Sequence, residues 1–236
     1  MAHAAGASAG HQAEAVELRR IFLYNNGRQR GVCAGLDAVQ GEKDMEERQG
    51  LRQRYIRARE SLTPEERAEK SSRAVERIAE LPEFRQASVV MIYRAVRGEM
   101  TLEQLPGHPA ARGKRFAYPR CAGPGTMQAM IPGGWKEGFR GIPEPDPVCS
   151  EEVAPEEIDL VICPGAAFDR ECTRLGMGGG YYDRFLPRCG KAAVILAAFE
   201  AQRADRLPRE QWDIPMDRVV TEERIYTGRR GEDECG

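Results

Sequence analysis

The stretch DLVICPGAAFDRECTRLGMGGGYYDRF, residues 159–185, sets a strand, a glycine-rich turn and a helix in immediate succession. DLVIC is a short apolar run that Pro164 and Gly165 stop, which predicts a buried strand ending at the edge of a sheet. Ligands of open α/β sheets bind at that edge, beyond the carboxyl ends of the strands. The stretch therefore predicts both a class of fold and the place of a binding site.

The glycines of LGMGGGYYD are suited to anion binding. Glycine adopts positive φ easily, so several N–H groups can converge on one anion, and a helix opening at YYDRFLPRC adds the unpaired amides of its first turn. Arg174 offers a forked cation for phosphate oxygens, and Asp183 offers a carboxylate for a Mg²⁺ that bridges such phosphates. Together these residues predict a site for a nucleoside triphosphate.

Two common phosphate-binding motifs are excluded by spacing. The G-x-G-x-x-G pattern counted from Gly176 reaches Tyr181 where the third glycine belongs, and a Walker A loop needs Gly-Lys-Ser/Thr where this chain has Gly180, Tyr181 and Tyr182. A flexible turn without a ligand is the alternative for the glycines alone. The flanking arginine, tyrosines and aspartate argue against that alternative.

The composition predicts one globular domain. A chain of 236 residues with 41% hydrophobic content can bury one core. The 35 basic and 37 acidic residues nearly cancel, so there is no general attraction to nucleic acid or to an anionic membrane. The longest apolar run, residues 192–199, is too short to cross a bilayer, which takes about 20 residues. We therefore expect a soluble monomer with small-molecule partners.

Cysteine and histidine usage narrows the chemistry. The seven cysteines contain no C-x-x-C pair, which argues against a zinc centre or a disulfide framework and predicts a reducing compartment, hence a cytoplasmic location. The three histidines, at positions 3, 11 and 108, give no material for a catalytic triad or an imidazole metal cluster. The chemistry therefore rests on carboxylates, arginines, tyrosines and backbone amides.

Hydrophobic periodicity predicts an α/β fold with a three-layer, mostly parallel, twisted sheet flanked by helices. A first helix is predicted over residues 46–60, and a second begins at a capping box of Thr63 and Glu66 and ends at Pro82. A short helix over residues 101–105 and an irregular GIPEPDP segment, residues 141–147, are also expected. The predicted strands are residues 88–93, 115–118, 127–131, 160–163, 193–198 and 218–221.

The two ends of the chain lack a pattern able to join a core. We expect residues 1–44 to be a disordered extension, with Met45 as an alternative start of translation. We expect one domain over residues 45–227 and a flexible tail over residues 228–236.

RLGMGGGYYDRFL resembles the glycine loop of the 5-formyltetrahydrofolate cyclo-ligase family, also called methenyltetrahydrofolate synthetase. Segments in the family's order extend the resemblance from Arg48 to Thr227: RQGLR, VVMIYRAVRGEM, KRFAYPR, GIPEP, DLVICPGAAFD, the glycine loop, AVILAAFEAQ and WDIPMDRVVTE. The resemblance implies an enzyme of one-carbon metabolism. Its reaction uses ATP and Mg²⁺ to convert 5-formyltetrahydrofolate into 5,10-methenyltetrahydrofolate, by phosphorylation of the formyl oxygen and ring closure by N10.

The resemblance also implies roles for individual residues. Phosphoryl transfer falls on Arg174 and Asp183, and Mg²⁺ on Asp183 and Asp213. The residues implied in ATP binding are Arg48, Arg52, Arg174, Leu175, Gly176, Met177, Gly178, Gly179, Gly180, Tyr181 and Tyr182. Those implied in folate binding are Arg52, Arg94, Glu99, Met177, Gly178, Gly179, Gly180 and Tyr181.

Some residues depart from the family pattern or have simpler explanations. Arg94 stands where the family often has an apolar residue, and Gly179 stands where some members have lysine. Arg48 and Arg52 taken alone read as solvated arginines on a helix, and Asp213 as a turn cap. Two other functions stay open: a relative that binds folate or nucleotide without turnover, and an ATP-dependent ligase for another small acid, which would have no need of Glu99.

Overall fold

The computed structural model describes residues 36–138 and 141–228, with side chains from Asp44 onward. By its contacts the chain separates into two units, Met1–Asp44 and Met45–Gly236, and the sheet belongs to the second. The α-helices are α1 Leu36–Glu60, α2 Pro64–Glu80, α3 Pro82–Gln86 and α4 Tyr181–Phe185. Short 3-10 helices span Leu105–Gly107, Pro109–Ala111, Pro155–Glu157, Leu186–Cys189 and Glu200–Gln202.

The strands of the described residues form one large sheet and two hairpins. They are β1 Val89–Met91, β2 Arg115–Gly123, β3 Thr126–Ile131, β4 Trp135–Glu137, β5 Pro143–Pro145, β6 Glu151–Val153, β7 Leu160–Cys163, β8 Ala167–Phe168, β9 Arg174–Leu175, β10 Ala193–Ala197, β11 Arg218–Val220 and β12 Ile225–Thr227. The sheet order is β12-β11-β10-β7-β1-β2-β3-β6. Its centre, from β11 to β2, is parallel, and the outer strands at both edges are antiparallel.

Helices and loops cover both faces of this sheet. Leu160 and Ile162 of β7 join the core beneath α2 and α3, whereas Val161 and Cys163 join the core on the opposite face with α4. Successive residues of a strand point to opposite faces, so a strand buried on both sides is apolar throughout. The expected fold class, an α/β protein with a mostly parallel sheet between helices, is confirmed.

The start of α2 agrees with its sequence. Thr63 Oγ1 accepts a hydrogen bond from the Glu66 N–H at 3.1 Å, and Glu66 Oε2 accepts one from the Thr63 N–H at 2.8 Å. This reciprocal capping satisfies two amides that a helix start otherwise leaves unpaired. The capping box predicted here is confirmed.

Other local expectations differ from the structure. α1 begins at Leu36 rather than at residue 46, because LDAVQGEKDME is rich in good helix formers and contains no proline. The disorder expected over residues 1–44 does not hold for residues 36–44, which are helical, and residues 1–35 lie outside the described residues. Of the flexible tail expected over residues 228–236, the structure describes Gly228, whose N–H donates to Asp217 O at 2.8 Å, and residues 229–236 lie outside the described part of the chain. The short helix expected over residues 101–105 is wrong: the turn there is a 3-10 helix at Leu105–Gly107, in which Pro106 occupies the first turn.

The GIPEPDP segment is not irregular, because Pro143–Pro145 pairs with β4 as an antiparallel hairpin. Gly138 N–H donates to Ile142 O at 2.9 Å, and Asp146 N–H donates to Gly134 O at 2.9 Å. Ladder bonds recur at every second residue of an antiparallel pair, so both prolines occupy the positions between them. A proline at such a position removes no ladder bond.

The order of the central strands creates a crevice. β1 and β7 are neighbours, but the chain continues from β1 to β2 on one side and from β7 to β10 on the other. The loops that leave these two strands therefore diverge at their carboxyl ends, which is where ligands of α/β sheets bind. Residues 92–99 and 164–180 form the two sides of this switch point. Among the described residues no helix is long and apolar enough to cross a membrane.

Candidate functional site

The glycine loop, residues 176–180, connects the β8–β9 hairpin to α4. Ala167 pairs with Leu175 and Phe168 with Arg174, which brings the chain back to the end of β7 before the loop begins. Gly178 (φ +96°) and Gly180 (φ +63°) lie in the left-handed region, which side-chain-bearing residues rarely adopt. The middle of the loop, residues 177–179, is exposed. Its backbone is thus open to a ligand.

α4 is shorter than the sequence suggests, because Pro187 ends it. Proline lacks the N–H that would bond to residue 183, and its ring clashes with that carbonyl, so the chain continues as a 3-10 helix at Leu186–Cys189. A helix of five residues adds little dipole to an anion site. The donors for an anion at this place are therefore the loop amides and the nearby arginines rather than a helix dipole.

Arg174 and Asp183 form a buried ion pair at the base of the loop. Arg174 Nη2 donates to Asp183 Oδ1, and the side chains are 3% and 20% exposed. Arg174 also lies 5.6 Å from the centroid of the Tyr182 ring, and its Nε has no acceptor among the described residues. The pair thus holds one cation with an unused donor and one carboxylate within reach of solvent.

Arg52 approaches the loop from α1. Its Nε donates to Gly176 O at 2.9 Å, while its two terminal nitrogens have no partner among the residues the structure describes. Burial and the neighbouring Arg48 lower the pKa of the Arg52 guanidinium. An arginine remains charged at neutral pH even so. Arg52 therefore offers a cation beside the glycine loop.

Arg48 and Asp213 form a second buried pair one turn before Arg52. Arg48 Nη1 donates to Asp213 Oδ2 at 2.7 Å, and Arg48 Nη2 donates to Asp213 Oδ1 at 3.0 Å. Asp213 Oδ2 also accepts from the Glu210 N–H at 2.8 Å, which is the turn contact weighed as an alternative for this residue. Both oxygens of Asp213 are thus already engaged.

Glu99 lies on the other side of the crevice, in the loop after β1. Its side chain is 5% exposed, Oε2 accepts from the Val96 N–H at 3.1 Å, and Oε1 lies 3.4 Å from Arg59 Nη2. Burial raises the pKa of the Glu99 carboxyl, and Arg59 counteracts part of that rise. A buried carboxylate with free lone pairs is a strong acceptor for N–H donors of a ligand.

The paired tyrosines differ in surroundings. Burial raises the pKa of Tyr182 well above its usual range, and Cys163 and Glu99 add to this. Tyr181 lies beside Cys121, whose thiol pKa rises to about 11 through burial and neighbouring Glu144. This thiol is therefore protonated at neutral pH and is no nucleophile. The tyrosine rings provide flat apolar surface beside the loop.

Arg94 has partners outside this group of residues. It forms an ion pair with Glu103 at 3.2 Å and lies 5.1 Å from the centroid of the Trp135 ring. Both partners leave it partly exposed at the outer side of the loop after β1. The ion pair and the ring contact of Arg94 are thus with Glu103 and Trp135, and neither joins it to Glu99 or to the glycine loop among the described residues.

Sequence reasoning missed Arg59, which is fully buried on α1. The helical spacing could have indicated it, because residues 48, 52 and 59 share one face of the helix with the apolar residues Leu51 and Tyr55. Leu51 and Tyr55 pack on the loops after β7 and β10. The three arginines are thereby directed at the carboxyl edge of the sheet.

The donor set suits Mg²⁺ only when substrate oxygens complete it. The described residues contain no group of three or more His, Cys, Asp or Glu side chains placed to hold a metal. Mg²⁺ is commonly held by one or two carboxylates together with phosphates and water. Asp183 fits such a site because its carboxylate is partly exposed and has one partner, whereas Asp213 is fully engaged by Arg48 and Glu210.

Comparison with known proteins identifies the family. The model of the 5-formyltetrahydrofolate cyclo-ligase family matches residues 44–222. The chain is 32% identical over 175 residues to the 5-formyltetrahydrofolate cyclo-ligase of Escherichia coli (strain K12), covering 71% of this chain and 96% of that protein. The corresponding Mus musculus protein is 24% identical over 190 residues, covering 75% and 94%.

Comparison with solved structures gives the same family. The NMR structure of Aquifex aeolicus 5,10-methenyltetrahydrofolate synthetase is similar, with 35% identity, a TM-score of 0.68 and coverage of 77% of this chain and 93% of that one. A Mycoplasma pneumoniae 5,10-methenyltetrahydrofolate synthetase, at 21% identity and a TM-score of 0.61 over 74% and 98%, shares the fold. The family resemblance and the enzyme class expected from the sequence are confirmed: the chain belongs to the 5-formyltetrahydrofolate cyclo-ligase family, a family of ligases.

Proposed function

We propose that this protein converts 5-formyltetrahydrofolate into 5,10-methenyltetrahydrofolate, consuming ATP with Mg²⁺ and releasing ADP and phosphate. One observation carries the proposal. The crevice between β1 and β7 brings an open glycine loop flanked by Arg52 and Arg174 opposite a buried carboxylate, Glu99. A site with cations on one side and an acceptor for ring N–H groups on the other suits a nucleotide together with a pterin. The names of the relatives support the same reaction.

The triphosphate is assigned to the glycine loop. The amides of residues 176–180 and the Arg52 guanidinium lie side by side, and N–H groups that converge in this way favour an anion. Arg174 reaches the γ-phosphate when Asp183 releases it. Arg48 acts at longer range, since its guanidinium is engaged by Asp213.

Asp183 is the proposed Mg²⁺ ligand, with Asp213 a second candidate only if it leaves Arg48. The ion, when bound, neutralises phosphate charge and orients the oxygens for in-line transfer. Tyr181 and Tyr182 offer ring faces for stacking.

The folate is assigned to Glu99 and to the rim formed by residues 177–181. The carboxylate of Glu99 accepts hydrogen bonds from pterin N–H donors and fixes the ring relative to the loop. This contact favours a folate over a small acid that has no ring N–H donors for Glu99.

The reaction then needs positioning rather than a protein nucleophile. The formyl oxygen takes the γ-phosphoryl group as the bond to ADP breaks; N10 attacks the formyl carbon, the carbon–oxygen bond breaks, and phosphate leaves with loss of the N10 proton. Arg52 and Arg174 stabilise charge on the transferred group. We place this activity in a cytoplasmic monomer whose partners are the two small-molecule substrates.

Coupling between the substrates tests the proposal. ATP consumption by the purified protein should stay near background until 5-formyltetrahydrofolate is added, and methenyl product should then appear by its near-ultraviolet absorbance in equal amount to ADP. Folate binding without ATP consumption would favour the binding-only alternative. ATP consumption released by a different acid and not by the folate would favour the other ligase.

A further inference from the structure

Arg59 is a charged side chain with no exposed surface. It lies on the face of α1 that meets the carboxyl edge of the sheet, where Arg48 and Arg52 reach the nucleotide side of the crevice. A buried charge is tolerated only where partners replace its lost hydration. The identity of those partners indicates what Arg59 does.

Among the described residues, the hydrogen-bond partners of Arg59 all belong to the two loops that form the crevice. Nε donates to Arg97 O at 3.1 Å and Nη2 lies 3.4 Å from Glu99 Oε1, both in the loop after β1. Nη1 donates to Gly165 O at 3.1 Å, in the loop after β7. The Arg59 guanidinium therefore connects the loop after β1 to the loop after β7.

The loop after β1 needs such support because its backbone is strained. Arg97 (φ +50°) and Gly98 (φ +72°) are both left-handed, and the turn is closed by the Glu99 N–H donating to Val96 O at 3.0 Å. A non-glycine residue with positive φ is unfavourable on its own. Arg59 stabilises this turn because its Nε donates a hydrogen bond to the carbonyl of Arg97, the residue with the unfavourable φ.

The Gly165 carbonyl is itself held from a third side. Gln202 Nε2 donates to Gly165 O at 2.8 Å and to Ala166 O at 2.9 Å, and Gln202 follows β10. The end of β7 is thus fixed independently of Arg59. Glu99 has no comparable second anchor to the sheet among the residues the structure describes, because its other contact is to Val96 in its own turn.

We propose that Arg59 is a positioning residue for the folate: it anchors the Val96–Glu99 turn to the end of β7 and holds the Glu99 carboxylate at the crevice for the N–H donors of the pterin. The inference rests on the proposed function of Glu99 and adds a residue that touches no substrate. It assigns the fully buried arginine to one substrate only, since within the described part of the chain its hydrogen bonds go to Arg97, Glu99 and Gly165 and not to the glycine loop.

The charge of Arg59 also bears on the ionisation of Glu99. Burial raises the pKa of Glu99, Arg59 and Arg97 pull it down, and Tyr93 and Tyr182 are the other titratable groups facing it. Only the ionised carboxylate accepts with both oxygens, so folate affinity falls as pH drops through this pKa. Removing the Arg59 charge raises the pKa further and moves that fall to higher pH.

Two variants and two controls test the inference on the full-length protein. Arg59→Met removes the fork and the charge, and Arg59→Lys keeps the charge but cannot reach three acceptors. Gln202→Met removes the other donor to Gly165 O, and Arg57→Met removes an exposed charge from the same helix. Equilibrium binding of 5-formyltetrahydrofolate and of ATP is measured by calorimetry across pH, beside the KM for each substrate.

We expect Arg59→Met to weaken folate binding about tenfold and to leave ATP binding unchanged. The fall of folate affinity at low pH, the acid limb, should begin at a higher pH than in the wild-type protein. Arg59→Lys should weaken folate binding while leaving the acid limb in place, and this variant decides the matter if Arg59→Met does not fold. Both controls should keep the wild-type pH profile.

An unshifted acid limb in Arg59→Met, or equal weakening of folate and ATP binding, would overturn the inference about Arg59. Neither result would count against the activity proposed for the wild-type protein. If the wild-type protein binds no reduced folate, the proposed function fails together with the role of Glu99 and of Arg59.

Discussion

Replacing Asp213 with alanine should destabilise the fold more than it affects metal binding. Both oxygens of this carboxylate bond to Arg48, at 2.7 and 3.0 Å, and the two side chains are 9% and 8% exposed. Asp213→Ala leaves the Arg48 guanidinium buried without its carboxylate, and removes the acceptor of the Glu210 N–H. Breaking a buried pair from one side costs about 3–5 kcal/mol.

The lower end of that range applies, because water can reach the small exposed fraction of Arg48 after truncation. A loss of about 3 kcal/mol corresponds to a fall in Tm of roughly 6–12 °C in a domain of this size. Urea unfolding gives the free energy directly, and it is measured with and without Mg²⁺. Asp205→Ala, at an exposed position nearby, is the matched control and should leave the stability unchanged.

The double variant Arg48→Met/Asp213→Ala separates the ion pair from other effects. Removal of both charges leaves no unpaired ion, so it should be less destabilised than Asp213→Ala alone. A loss below about 1 kcal/mol in the single variant, well under the range for a buried pair, would refute this reasoning. So would a loss seen only when Mg²⁺ is present, which would identify Asp213 as a metal ligand.

Three further variants test the site itself. Asp183→Asn should abolish turnover and remove the Mg²⁺ dependence of ATP binding, measured by titration of ATP with and without the ion; normal turnover at limiting Mg²⁺ would contradict it. Glu99→Gln should raise the folate KM with little change in that for ATP, and an equal effect on both would indicate a structural role. Gly180→Ala should lower kcat/KM for ATP, because the residue has φ +63° inside the proposed phosphate-binding loop, where a strained backbone displaces the amides. Gly113→Ala, with φ +82° and open surroundings, carries the same backbone penalty of about 1–2 kcal/mol and should leave kinetics unchanged.

Features set by neighbouring residues in the chain could be predicted from the sequence. The capping box at Thr63 depends on atoms three residues apart, and the apolar run of β7 reports burial on both faces directly. The glycine loop is similar, since Gly178 and Gly180 are needed by the backbone itself. Such local signals located the crevice at the end of β7.

Features set by register or by distant partners could not be predicted in this way. The hairpin of Pro143–Pro145 depends on which residues of the strand form the ladder hydrogen bonds. The amino-acid composition does not reveal whether the prolines occupy the bonded or the non-bonded positions. Arg59 looks like any arginine of a charge-rich helix until the loops after β1 and β7 are brought together around it. Its burial is a property of the assembled crevice, because Glu99 and Gly165 lie far from it in sequence.

The ion pairs of the site suggest how one protein can hold opposite charges close together and still admit a polyanion. Arg48, Arg59 and Arg174 each have a carboxylate partner, whereas Arg52 forms no ion pair among the described residues and donates to Gly176 O. A phosphate can therefore meet Arg52 without breaking an ion pair, but it reaches Arg174 only by exchange with Asp183. A carboxylate released in this way remains next to the phosphate and repels it unless a divalent cation lies between them. The pairing of Arg174 with Asp183 thus gives a physical reason for the proposed Mg²⁺ dependence, because the same exchange that frees the cation for ATP creates the anionic ligand for the metal.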